Sequence, residues 1–144
     1  MTSSIAQSTR WLDATAQAQL VARGEVTATD LVEAAIERIE TFDEPLNSVV
    51  VRWFDDACVA AADVDGRLAM NKPMPLFAGV PTLLKDLWAH SVGHPMTNGN
   101  AALQAELPIS TYDTTLVSRL RDAGLITLGR SNSPELGSLP VTEP

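Results

Sequence analysis

The chain has 144 residues, 45% of them hydrophobic and 19% charged, which suits one folded domain and argues against a disordered chain. Eighteen acidic against ten basic side chains leave a formal charge of −8, so no basic face is on offer for phosphates and nucleic acid is not expected as the main partner. The single cysteine, Cys58, rules out an internal disulfide and a cysteine-held metal.

Residues 1–12 read as an N-terminal tail. Met1 to Arg10 is Ser/Thr-rich, with no basic region followed by an apolar run, so no signal peptide is expected. No apolar stretch approaches membrane-spanning length, and the expectation is a soluble cytoplasmic protein with no membrane contact.

From Asp13 onward the elements follow one another closely. Asp13 is an N-cap for a helix through Val21 that Gly24 stops. Thr27 and Asp30 make a capping box, behind which Leu31, Val32, Ala35, Ile36 and Ile39 share one helical face. The acidic set Glu33, Glu37 and Glu40 with Arg38 reads as a solvated face of that helix. Asp43-Glu44-Pro45 breaks it, Ser48 to Val51 is a short buried strand, and an alanine-rich helix follows from about Phe54 to Leu68. Lys72 to Pro75 is an extended linker. An apolar run from Phe77 to Leu84 ends in Lys85-Asp86, and Trp88 to Asn100, with Gly93, Pro95 and Gly99, is loop. Asp113 or Thr114 opens a helix with Leu116, Val117 and Leu120 inward, stopped by Gly124. Leu125 to Leu128 is a strand, and Ser133-Pro134-Glu135 has the form of a helix start. Helices alternating with short buried strands predict an α/β fold. The visible strands are few for a sheet buried on both faces, so the sequence looks like part of a domain.

Lys85 is the residue singled out for chemistry, because it projects from the end of an apolar segment. A lysine works as a base only when neutral, and desolvation lowers its reference pKa of about 10.4. The plainer alternative is a surface lysine paired with Asp86 or another carboxylate. Thr82-Leu83-Leu84-Lys85 has Ser-x-x-Lys spacing with threonine for serine, yet Gly79 and Pro81 predict extended chain where that motif needs a helical turn. Gly129-Arg130-Ser131-Asn132-Ser133 fails as a nucleophile elbow, since its last position is serine. His90 and His94 stand four apart, but Gly93 and Pro95 spoil a helix there and no third ligand is near, so no metal is expected. With no glycine-rich phosphate loop either, no cofactor is expected.

The segment Phe77-Ala78-Gly79-Val80-Pro81-Thr82-Leu83-Leu84-Lys85-Asp86-Leu87 resembles the one that carries the catalytic lysine in the amidase signature family. Tyr112-Asp113-Thr114 through Ala123-Gly124 resembles the helix that follows, and Leu128-Gly129-Arg130-Ser131-Asn132-Ser133-Pro134-Glu135-Leu136-Gly137 the next block. Gly24-Glu25-Val26-Thr27 through Ile39 is similar to the family's N-terminal helical region. Residues 13–144 would be the N-terminal portion of one domain of this kind, a mixed sheet flanked by helices.

The resemblance implies hydrolysis of small-molecule amides through a Ser–cis-Ser–Lys triad, in which Lys85 matches the lysine. The two serines belong to a Gly-Gly-Ser-Ser-Gly-Gly-like segment and its sequel, and neither has a counterpart in this sequence. Ser131, Ser133 and Ser138 belong to a different block and read as capping and turn residues. The expectation is therefore a truncated domain, inactive by itself, whose N-terminal helices, up to about Leu68, lie either at the periphery or at a homodimer contact of the complete enzyme. Two alternatives stand beside it: a non-catalytic remnant or binding module, and the amidase subunit of glutamyl-tRNA amidotransferase. That subunit usually has Lys-Asp-Asn and Asp-Glu-Phe where this chain has Lys85-Asp86-Leu87 and Pro134-Glu135-Leu136, departures that favour the standalone enzyme.

Overall fold

A computed structural model describes residues 3–142. Among these residues six α-helices, α1 (Ser4–Ser8), α2 (Ala14–Ala22), α3 (Ala28–Phe42), α4 (Phe54–Ala69), α5 (Ala101–Glu106) and α6 (Thr115–Asp122), accompany three strands, β1 (Val49–Arg52), β2 (Pro81–Lys85) and β3 (Ile126–Ser131). The strands form one mixed sheet in the order β1-β3-β2, with β1 antiparallel and β2 parallel to the central β3.

Strand alternation divides the core. Leu83, Ile126 and Leu128 face α3 and α4, where Leu31, Val32, Ala57 and Ala61 complete one apolar cluster. Leu84 and Val51 face the other way, toward Trp53 and toward Val117 and Leu120 of α6. Each large side chain buried in these clusters contributes about 1.5–3 kcal/mol relative to exposure. Alanines at 57 and 61 let α4 lie close to α3. Gly79 lets the segment leading into β2 come against the start of α3, since a Cβ there would come within 2.6 Å of the Ala28 Cβ.

The predicted helix starts at Asp13 and Thr27 are present, the second with both halves of its capping box. The predicted strands are present too, and β3 runs three residues further, to Ser131. Other details differ. Leu116 is 58% exposed while Val117 is buried, because α6 is a single two-turn helix that can turn only a narrow stripe inward. Arg38 is not a solvated group: its Nη1 donates to the Ala6 carbonyl at 3.1 Å and to Thr9 Oγ1 at 3.3 Å, fastening α1 to α3. Ser133-Pro134-Glu135 opens only a three-residue 3-10 turn, in which Leu136 has φ 51°. Among the described residues no helix is long and apolar enough to cross a membrane.

Candidate active site

Lys85 is the last residue of β2 and is exposed. Its register partner on parallel β3 is Ser131, so both residues stand at the carboxyl ends of neighbouring parallel strands. That end of an α/β sheet is where ligands are commonly held, since loops leave it and helices do not cover it. Among the described residues Lys85 forms no ion pair, so the pairing with Asp86 that the sequence allows is not made.

Asp86 turns the opposite way and is fully buried. Its Oδ1 accepts from the Thr97 N–H at 2.9 Å, and its Oδ2 accepts from Thr97 Oγ1 at 2.5 Å and from the Gly99 N–H at 3.0 Å. The Asp86 N–H donates in turn to the Ser131 carbonyl at 2.9 Å. The buried Arg130 guanidinium lies with Nε 3.8 Å from Asp86 Oδ1. Arg130 Nε donates to the Pro95 carbonyl at 2.5 Å and Nη1 to the Ala89 carbonyl at 2.8 Å, with a longer contact to the Lys85 carbonyl at 3.4 Å. Its Nη2 has no hydrogen-bond partner among the described residues, and Cζ lies 5.6 Å from the centre of the Trp53 ring. Burial pulls the Arg130 guanidinium below its ordinary pKa, and the Asp86 carboxylate works against that shift.

Beside this pair opens a cleft of about 870 Å³ whose wall includes Asp86, Thr97, Gly99, Asn132, Pro134 and Glu135. Gly99, at φ +65°, has to be glycine, because a Cβ would run into the Ser133 and Pro134 carbonyl oxygens. Asn100 Nδ2 donates to Glu135 Oε1 at 2.5 Å and closes the same wall. Lys85 does not line the cleft. It stands next to it, across Asp86.

The other candidates separate cleanly. Ser133 is buried and donates its hydroxyl to the Pro134 carbonyl at 3.2 Å, and Ser138 donates to the Glu135 carbonyl at 2.7 Å, both within the turn. The two histidines do not converge. His90 Nδ1 is 3.1 Å from Ser110 Oγ and its ring stacks on Tyr112, whereas His94 stacks on Trp53 with ring centres 4.1 Å apart. Among the described residues no group of His, Cys, Asp or Glu is arranged to hold a metal. His94 does join a constellation that no sequence spacing revealed, with Nδ1 3.1 Å from Ser91 Oγ and Nε2 3.2 Å from Asp56 Oδ2. A Ser-His-Asp set invites comparison with hydrolytic triads, but Ser91 is 1% exposed and no substrate can reach its hydroxyl. The set instead ties the 91–94 turn to α4.

The Amidase family model matches residues 30–144. The chain is 37% identical over 134 residues to the 6-aminohexanoate-cyclic-dimer hydrolase of Paenarthrobacter ureafaciens, covering 93% of this chain and 25% of that protein. It is 38% identical over 126 residues to a glutamyl-tRNA(Gln) amidotransferase subunit of Salinispora tropica, covering 88% of this chain and 25% of that one. A solved 6-aminohexanoate cyclic dimer hydrolase complexed with substrate superposes with a TM-score of 0.83 at 36% identity, over 93% of this chain and 26% of its own. The chain thus spans about a quarter of the length of the relatives it matches.

Proposed function

The chain belongs to the amidase signature family, and on that premise we propose that the whole protein hydrolyses the amide bonds of small molecules, with Lys85 as the base of a Ser–cis-Ser–Lys relay. The observation that carries this reading is the position of Lys85: exposed, in no ion pair among the described residues, at the carboxyl end of a parallel strand whose next residue is anchored in the interior. A serine is a poor nucleophile until a base takes its proton, and a lysine can take it only when neutral. Desolvation favours the neutral form, so the reading requires a cover over Lys85 from outside the described residues. The two serines likewise have to come from outside the matched blocks. No cofactor or metal enters the mechanism.

Two relatives support the substrate class without choosing within it. One is named for hydrolysis of a cyclic amide, the other as part of an amidotransferase, and identities of 37% and 38% do not separate them. Leu87 and the Pro134-Glu135-Leu136 block favour the free-standing hydrolase over the amidotransferase component. The test is turnover by the whole protein on a panel of linear, aryl and cyclic amides, with and without Lys85→Ala. The expected outcome is loss of hydrolysis by a variant that stays folded. Substantial turnover by folded Lys85→Ala would remove Lys85 from the mechanism. A folded protein that hydrolyses none of the amides would leave a non-catalytic binding module as the better account.

A further inference from the structure

We infer that Asp86 and Arg130 form a positioning pair for Lys85, fixing the backbone that follows it where Leu84 already anchors the strand before it, so that only its side chain stays free. The inference rests on the reading of Lys85 as the base. Before Lys85 comes Leu84, 2% exposed and packed with Trp53 and Val117. After it comes Asp86, 0% exposed, whose N–H reaches Ser131 and whose carboxylate gathers Thr97 and Gly99. Arg130 holds the carbonyls of Ala89 and Pro95 and touches that of Lys85 itself. Strand end, following loop and cleft wall are therefore joined through two adjoining buried charges.

A purely structural role would not call for this chemistry. Removing two charges from water costs several kcal/mol per ion, and well-packed apolar residues of similar volume often stabilise a fold as well or better. What an apolar pair lacks is direction. Charge-assisted hydrogen bonds fix the backbone groups they bind in angle as well as distance, and a base displaced by about 1 Å can lose about 100-fold in rate. The pair sits where strand gives way to loop, the place at which the backbone of Lys85 would otherwise be least constrained.

The test compares folded variants of the whole protein on an amide that the wild type hydrolyses. Asp86→Asn is expected to lower kcat by about 100-fold with KM within about three-fold, the pattern of a misplaced catalytic group. It should also shift the acid limb of the kcat/KM profile, which reports the base. Thr97→Val, which removes one donor to Asp86 and leaves the ion pair, guards against misfolding of the first variant and is expected to show a smaller loss of kcat in the same direction. Lys85→Ala is run beside them. Loss of activity in Lys85→Ala together with wild-type kcat per folded molecule and an unchanged pH profile in Asp86→Asn and Thr97→Val would overturn the positioning role alone. Wild-type turnover by Lys85→Ala would overturn it together with the reading on which it rests.

Discussion

The helical side of the sheet and its carboxyl end are held by opposite means. Between α3, α4 and the sheet the packed interior is apolar, from Leu31 and Val32 across Ala61 to Ile126 and Leu128, with a polar cap only at the start of α3. At the carboxyl end the residues from Lys85 to Asn100 form almost no regular structure, and polar contacts hold them, at their centre one carboxylate and one guanidinium with no solvent exposure. Apolar burial is roughly proportional to area and indifferent to direction, so it makes a scaffold. Buried charges are unfavourable unless every partner is in place, so they specify a geometry.

Removing one member of the pair gives the largest effect expected. Arg130→Met should cost about 3–5 kcal/mol in urea unfolding, because it leaves Asp86 buried and unpaired. The double change Asp86→Leu with Arg130→Met should recover most of that loss, and the coupling is read from the double-mutant cycle. Recovery of stability without recovery of a fixed 86–99 loop, followed by amide hydrogen exchange, would sharpen the contrast between the two regions. An additive double mutant would break it.

The same contrast decides what the sequence could reveal. Periodicity found α3, because Leu31, Val32 and Ala35 recur at helical spacing, and cap chemistry found its start at Thr27. The apolar runs at 49–51 and 125–128 gave the strands, and the wording around Lys85 gave the family. Nothing in composition or spacing exposed α1 or α5, since five and six residues without an apolar stripe carry too little signal. The partnership of Asp86 with Thr97, Gly99 and Arg130 was equally hidden, because Thr97 lies 11 residues from Asp86 and Arg130 lies 45 from Lys85. A buried charge looks like a surface charge until its partners are known.

A third kind of contact marks the seam between the two regions. Asp43, at the C-terminal end of α3, accepts from the Ser48 N–H at 2.8 Å, the Val49 N–H at 3.1 Å and Arg52 Nη2 at 3.0 Å, and also from the Ser48 hydroxyl. Burial alone would raise its pKa, but the hydrogen bonds from Ser48, Val49 and Arg52 outweigh it and hold the carboxyl below its ordinary value. A depressed folded-state pKa stabilises fully above the unfolded value of about 3.9 and is lost as pH falls through the lower folded one. Acid unfolding should therefore begin below about pH 4 in part through Asp43. Asp43→Asn should be less stable at neutral pH and flatten that portion of the curve. An unchanged acid limb in the variant would assign the sensitivity elsewhere.

The smallest effect tests the helical region on its own ground. An α-helix leaves its first N–H groups without intrahelical acceptors. At the start of α3 the Thr27 hydroxyl accepts from the Asp30 N–H at 2.9 Å. Asp65, reaching over from α4, accepts from the Ala28 N–H at 2.7 Å, the Thr29 N–H at 3.1 Å and Thr29 Oγ1 at 2.7 Å. Thr27→Ala strands one donor at an exposed position where water can replace the hydroxyl, so its cost should lie near the low end of the usual cap range, about 0.5–1 kcal/mol. Asp65→Ala strands the Ala28 and Thr29 donors together, removes a negative charge from the positive end of the helix, and loosens α4 from α3; its cost should exceed that of Thr27→Ala. The urea midpoints of the two variants decide the order. If Thr27→Ala proves the costlier, the local capping box sets the start of α3 and the cap from α4 is incidental; the opposite order means that even the most regular helix here takes its boundary from a charge 37 residues away in the chain.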